Sequence, residues 1–99
     1  GHLDVVPANA ADWTHHPFSG EVADGCVWGR GAGDMKDLAG MTLAVARERL
    51  RTGPKSPRDI VLAFLADEEA GWTGGARPLV GRHPELVEGV TEAIDEVDC

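Results

Sequence analysis

The chain has 99 residues, which is enough for one small domain with a thin hydrophobic core and too few for two domains. Hydrophobic residues make up 42% of the chain, which predicts a folded soluble protein, and the net charge of −8 argues against a nucleic-acid partner, which needs a basic face. No apolar run reaches the roughly 20 residues of a membrane helix, and two cysteines without paired spacing favour a reducing, cytoplasmic compartment over a disulfide framework.

The first predicted element is the end of a β-strand over residues 3–6, which Pro7 terminates because proline has no N–H for a ladder hydrogen bond. Alternate side chains of a strand point to the same face, so we expect His2 and Asp4 on one face. His2 is a candidate metal ligand through one ring nitrogen, and Asp4 is placed to accept the N–H of the other, which fixes the tautomer. Taken alone this pattern is a weak signal, since a histidine near a strand end is more often a structural or surface residue.

Residues 8–20 predict a loop, and residues 21–28 predict a short β-hairpin with Asp24-Gly25 as its turn. Residues 29–36 then alternate three glycines with other residues and place Asp34 at the start of a helical pattern. Glycine lets the backbone adopt positive φ and approach other groups closely, and a rigid helix fixes an acid at its start. We interpret Asp34 as the shared carboxylate of a two-metal site. A dinucleotide-binding loop is rejected, because the third glycine of that motif is missing and an acid there would repel a pyrophosphate.

The best helical pattern covers residues 35–51, where apolar side chains recur with a period close to 3.6 and Gly53-Pro54 gives the stop signal. Gly40 lies inside this pattern at a cost of about 1 kcal/mol relative to alanine, which we interpret as a sign of close packing. A second, shorter helix is predicted over residues 76–82, with Pro78 in its first turn.

The continuous apolar run of residues 60–66 predicts a strand buried on both faces, as in a parallel sheet. The run leads into Glu68 and Glu69, at the carboxyl end of the strand, where open α/β sheets place their ligands. Neighbouring residues of an extended chain point in opposite directions, so we expect one glutamate to bind metal and the other to act as general base on the reacting water. Taken alone, two solvated acids at a strand exit are the more frequent arrangement. One more strand is predicted over residues 90–97.

The order of these elements is typical of the α/β class. We expect a partial open mixed sheet with flanking helices, truncated at both ends. The chain opens on Gly1 rather than on a methionine, so we expect that its N-terminus is cut.

Taken together, the motifs resemble those of the M20 metallopeptidase family, which includes aminoacylases, succinyl-diaminopimelate desuccinylases, acetylornithine deacetylases and glutamate carboxypeptidases. The resemblance lies in residues 1–7, 13–21, 24–25, 29–36 and 67–69, and it covers nearly the whole chain. It implies a partial M20-type catalytic domain over residues 1–99, without the inserted lid or dimerisation domain and without the C-terminal part. For the full-length protein the family allows a homodimer.

The resemblance also implies which residues hold the first metal ion. His2 is expected to be its imidazole ligand, and Asp4 the acid that orients this imidazole. Asp34 is expected to bridge the two ions. The last acid of the first shell is expected to be Glu96, with Asp95 as the fallback.

For the second ion, the resemblance implies Glu69 as a ligand and Glu68 as the general base. The cofactors are then two divalent metal ions, with zinc preferred over the cobalt or manganese that these ligands also accept. The implied activity is hydrolysis of an amide or peptide bond in a small N-acyl amino acid or dipeptide-like substrate by a water that both ions activate.

A further histidine ligand, which the family carries near its C-terminus, has no counterpart here, since His15, His16 and His83 do not lie at a matching position. We therefore expect the isolated chain to be inactive. The alternative to an enzyme is a non-catalytic metal-binding or structural fragment, which metal content without amidase activity would identify.

Overall fold

The computed structural model of the chain describes residues 1–96. It is a small mixed arrangement of helices and strands, in which two short strands form one antiparallel sheet. The Cα radius of gyration is 16.2 Å, compared with about 13 Å for a compact domain of this length, so the fold is open. The elements are a 3₁₀ turn at Ala10–Asp12, β1 at Glu21–Ala23, β2 at Cys26–Trp28, α1 at Asp37–Thr52, α2 at Ala76–Arg82 and a 3₁₀ turn at Pro84–Leu86.

Strands β1 and β2 form the predicted hairpin, with Glu21 paired to Trp28 and Ala23 paired to Cys26. The turn residues Asp24 and Gly25 both have positive φ, 53° and 76°, as the two-residue turns that match the twist of a hairpin require. Cys26 is a free, exposed thiol. The second cysteine, at position 99, lies outside the described residues.

Both predicted helices are present, and α2 has the predicted bounds. Helix α1 begins at Asp37 rather than at residue 35, because the turn Ala32–Lys36 before it contains extended backbone at Asp34 (φ −126°, ψ 99°). The expectation of close packing at Gly40 is wrong, since a Cβ built there would meet no atom of the described chain within 4 Å beyond its own neighbours and the backbone of its own helix.

The predicted buried strand over residues 60–66 is absent from the part of the chain that the structure describes. The run instead forms one isolated parallel bridge, between His2 and Leu65, and Ile60 keeps 64% of its surface exposed. A doubly buried parallel strand needs strands on both edges and helices on both faces, and one bridge does not supply them. The predicted strand end at residues 3–6 is also absent from the described chain, and His2, just before it, forms the bridge instead.

Residues 90–96 contain no strand, and position 97 of the predicted last strand lies outside the described range. Within residues 1–96, the predicted mixed sheet is therefore present only as a hairpin and a bridge, with helices beside them. Within residues 1–96, no helix has the length and the apolar composition that crossing a membrane needs.

Few of the residues that the structure describes are buried. The buried apolar side chains that support the site are Met35 and Ala39, at the start of α1, whereas Val45 further along the helix is 61% exposed. The buried polar residue is His2, of which 2% is accessible, so the best-packed region of the described chain surrounds a histidine. Such burial is unusual for a histidine at a protein surface, so the residues that surround His2 form the candidate site.

Candidate metal centre

The bridge at Leu65 brings the two acidic segments of the chain side by side. Leu65 donates its N–H to the main-chain oxygen of Gly1 at 3.0 Å and accepts the N–H of Leu3 at 2.8 Å. Because the two segments run parallel, the residues that follow the bridge in each segment leave it at the same edge. Asp4 and Glu68 are thereby placed next to each other although 64 positions separate them.

His2 is oriented through both of its ring nitrogens. Its Nδ1 lies 3.0 Å from the main-chain oxygen of Asp4 and 3.4 Å from Oδ1 of the same residue. Its Nε2 lies 3.0 Å from Oδ1 of Asp34 and 3.2 Å from Oε1 of Glu96. With Nδ1 engaged by Asp4, Nε2 faces the point where the two carboxylates meet. Such a partner on the second nitrogen is usual for a metal-binding histidine.

The carboxylate of Asp4 also binds the loop that carries Glu68 and Glu69. Its Oδ1 accepts the main-chain N–H of Glu68 at 3.2 Å, and its Oδ2 accepts that of Glu69 at 3.1 Å. Burial alone would raise the pKa of Asp4, but these N–H donors outweigh burial and hold that pKa below its ordinary value of 3.8. Asp4 therefore joins the segment that carries His2 to the segment that carries both glutamates.

We expect Asp4→Asn to lower the stability of the protein at pH 7 and to reduce its loss of stability in acid. The folded-state pKa of Asp4 is lowered, so its contribution is present above pH 3.8 and is lost as the pH falls through the folded pKa. Asparagine supplies one acceptor oxygen, and its NH₂ group would face a main-chain N–H. Urea unfolding at pH 7 and pH 3 measures the effect, with Asp12→Asn, in an exposed turn, as the control. Equal pH dependence in Asp4→Asn and wild type would contradict the prediction.

Asp34 is held by the glycine-rich turn in front of α1. Gly31 is buried with φ 77°, and a side chain there would collide with Val5, so the turn can pass under residues 3–5 only as glycine. The ammonium group of Lys36 donates to the main-chain oxygen of Leu3 at 2.9 Å and ties the turn to the same segment. The peptide bond that follows Asp34 is cis. These contacts bring the Asp34 carboxylate to the Nε2 side of His2.

Glu96 reaches the site from the segment of residues 90–96. Arg58 binds Glu92 through two hydrogen bonds of 3.0 and 3.1 Å and holds this segment beside the apolar run. Of the two acids that the sequence offered as the last ligand, Glu96 lies against His2, whereas Asp95 lies 3.3 Å from the amino group of Gly1. The geometry therefore favours Glu96 over Asp95.

Two groups of residues place possible ligand atoms within 4.8 Å of one another. The first group is His2, Asp34 and Glu96, and the second group is His2, Glu68 and Glu69. The residue common to both groups is His2. The resemblance instead implies Asp34 as the shared ligand, and this bridging role stays a prediction. Since Nδ1 of His2 is engaged by Asp4, a single nitrogen, Nε2, is available to an ion, and it faces Asp34 and Glu96.

The electrostatics of the first group suit a divalent cation. Burial lowers the pKa of His2, but the hydrogen bond to Asp34 and the nearby carboxylates more than compensate, so the pKa of His2 lies above 6.5. Burial raises the pKa of Glu96. The nearby His2 opposes this increase, but the negative charges of Asp34 and Glu68 raise the pKa further. One imidazole nitrogen and carboxylate oxygens converging on one point are a donor set that zinc and similar ions accept.

The remaining histidines lie in other surroundings. His15 pairs with Glu21 at 3.0 Å, and His83 pairs with Glu85 at 3.1 Å. Neither belongs to the ligand groups found in the described residues.

Two contributors to the site were missed from the sequence. Met35 is buried, and its sulfur accepts the main-chain N–H of His2 at 3.0 Å, so it supports the ligand from below. Asp67 hydrogen-bonds across the loop that carries Glu68 and Glu69. The signal for Asp67 was available, since an aspartate before a glycine-rich stretch is typical of a side chain that caps its own loop.

Comparison with known proteins agrees with the motifs. The family model described as Peptidase family M20/M25/M40 matches residues 1–99. The chain is 43% identical over 81 residues to the succinyl-diaminopimelate desuccinylase of Paracoccus denitrificans (strain Pd 1222), a match that covers 81% of the chain and 21% of that protein. It is 46% identical over 77 residues to the probable carboxypeptidase S-like 2 of Dictyostelium discoideum, which covers 77% of the chain and 15% of that protein.

The chain thus spans about a fifth or less of the length of these curated relatives. No solved structure gives a significant match. Because the family match extends over every residue and the predicted motifs lie inside it, the resemblance is confirmed. The chain belongs to the peptidase family M20/M25/M40.

Proposed function

We propose that the chain is part of the catalytic domain of a metal-dependent hydrolase that cleaves an amide bond in a small N-acyl amino acid or dipeptide-like substrate. The observation that carries the proposal is the convergence of Asp34 and Glu96 on Nε2 of the buried His2. The names of the relatives support the same reaction class, since a desuccinylase removes an acyl group and a carboxypeptidase cleaves a peptide bond.

In this proposal His2, Asp34 and Glu96 hold one divalent ion, and Asp34 and Glu69 contribute to the shell of a second. A further ligand of the second ion comes from outside the 99 residues. When bound, the ions lower the pKa of a water and polarise the substrate carbonyl. Zinc is the preferred identity, with cobalt and manganese as alternatives.

The chain's own residues then move the proton. Glu68 lies on the loop that Asp4 fixes, beside the ligand group, and takes a proton from the attacking water as general base. The same carboxyl group gives the proton to the amide nitrogen as the C–N bond breaks, so that the leaving group departs as a neutral amine. Asp4 acts through its contacts with His2 and with the loop, which hold ligand and base in one frame.

We further propose that the full α/β catalytic fold is completed outside these residues. The exposed apolar side chains of residues 60–62 and of α1 support this, because apolar surface of this extent is usually covered by a partner. The inserted domain, the homodimer and the cytoplasmic location implied by the resemblance stay predictions for the full-length protein.

The test is a metal-dependence assay on the full-length protein. A chelator should abolish hydrolysis of N-succinyl and N-acetyl amino acids, and stoichiometric Zn²⁺, Co²⁺ or Mn²⁺ should restore it. Amine release measures activity, and elemental analysis measures the bound metal. Bound metal without hydrolysis of any such substrate would favour the alternative of a non-catalytic metal-binding domain, and neither metal nor activity would overturn the proposal.

A further inference from the structure

The loop of residues 67–74 is closed by hydrogen bonds to one residue, Asp67. The Oδ2 atom of Asp67 accepts the hydroxyl of Thr73 at 2.9 Å and the main-chain N–H of Gly74 at 2.5 Å. Its main-chain oxygen accepts the N–H of Trp72 at 2.7 Å. Three donors from the far end of the loop therefore converge on the residue that begins it.

The backbone around the closure tolerates few other side chains. Asp67 has φ 65°, a left-handed conformation that aspartate, asparagine and glycine adopt at low cost. A Cβ on Gly74 would lie 3.1 Å from Oδ2 of Asp67, and a Cβ on Gly75 would collide with the main-chain oxygen of Ala66. The residue types at positions 67, 74 and 75 are thus ones that allow the loop to close on Asp67.

The loop that Asp67 closes is also attached to Asp4, through Glu68 and Glu69. Their N–H groups are bound by Asp4, which also contacts His2. The start of the loop is thus fixed to the ligand segment by one aspartate, and its end is fixed to its start by another. Asp67 itself belongs to neither ligand group, so its effect on the site passes through the loop.

We propose that Asp67 is a positioning residue that, by closing the loop, fixes the direction in which Glu68 presents its carboxylate to the reacting water. The inference rests on the proposed function, since it takes Glu68 as the general base. A misplacement of a reacting group by about 1 Å can cost about 100-fold in rate, so the closure is worth a comparable factor.

The test uses variants of the full-length protein that separate the carboxylate from the backbone conformation. Asp67→Gly removes the carboxylate but keeps positive φ without a steric cost, and we expect it to lower kcat by about 10- to 100-fold with little change in KM or metal content. Thr73→Val removes one donor and should give a smaller loss, which Thr73→Ser should restore. Asp24→Gly is the matched control, since Asp24 also has positive φ but lies in the hairpin turn.

A double-mutant cycle with Glu68→Ala distinguishes positioning from general support of the fold. If Asp67 acts through Glu68, Asp67→Gly should leave the residual activity of Glu68→Ala almost unchanged, because residues that act as a unit are not additive. The inference is overturned if Asp67→Gly equals wild type, or if it lowers the activity of both backgrounds by the same factor. The proposed function fails separately, if wild type shows no metal-dependent hydrolysis or if Glu68→Ala is fully active. If Asp67→Gly does not fold, the Thr73 pair decides, and equal activity of Thr73→Val and Thr73→Ser overturns the inference.

Discussion

Glu68→Ala is expected to lower kcat for an N-acyl amino acid by about 10²–10⁴-fold while the protein keeps its metal, since a general base contributes a factor of this size. Asp4 binds Glu68 through the main-chain N–H, so removal of the side chain leaves the loop attached. The first ligand group, with His2 and Asp34, does not include Glu68 and stays intact. Steady-state kinetics and elemental analysis of the same preparation measure both quantities.

Glu68→Gln and Glu85→Ala sharpen this experiment. Glutamine keeps the size of the side chain but cannot take a proton, so its loss in kcat should match that of alanine. Glu85 is an exposed glutamate paired with His83, and its replacement should leave kcat unchanged. Wild-type turnover in Glu68→Ala would remove Glu68 from the role of base, and loss of metal together with activity would instead make Glu68 a ligand.

His2→Ala is expected to lower the affinity for the first metal ion by more than about 100-fold, because loss of a residue that only orients a ligand already costs 10- to 100-fold. His2 is buried, and its Nε2 lies at the meeting point of Asp34 and Glu96. Without the imidazole these two carboxylates face each other with no nitrogen ligand between them. Isothermal titration with Zn²⁺ and the rate of amine release measure the loss.

His83→Ala is the matched control for His2→Ala. His83 also pairs with a glutamate, at 3.1 Å, but it is exposed and lies outside the ligand groups. It should bind metal as wild type does. If His2→Ala bound both ions with wild-type affinity, the first metal shell proposed here would be incorrect. Circular dichroism of the metal-free variants separates loss of the ligand from loss of the fold, since His2 is among the few buried residues.

Local chemistry explains which elements could be read from the sequence. The Asp24-Gly25 turn specifies its hairpin, because both positions need positive φ. Helix α2 could be predicted from its local sequence, with Pro78 in the first turn. The start of α1 was misplaced by two residues, because hydrophobic periodicity does not reveal the extended backbone at Asp34. The run of residues 60–66 was misread, since its apolar composition reports a preference for burial and does not supply the neighbouring strands.

The family of this protein and the residue types available to its site could be read from the chain, because the motifs are short, ordered and dominated by ligand chemistry. Three contacts became visible only in the folded structure: the Met35 sulfur accepts the N–H of His2, the Asp4 carboxylate binds the N–H groups of the glutamate loop, and Asp67 closes that loop. The first two of these contacts join segments far apart in the chain, and the third depends on the backbone path of a glycine-rich loop. No local pattern encodes such distances, which arise when the bridge at Leu65 and the turn at Gly31 bring the segments together.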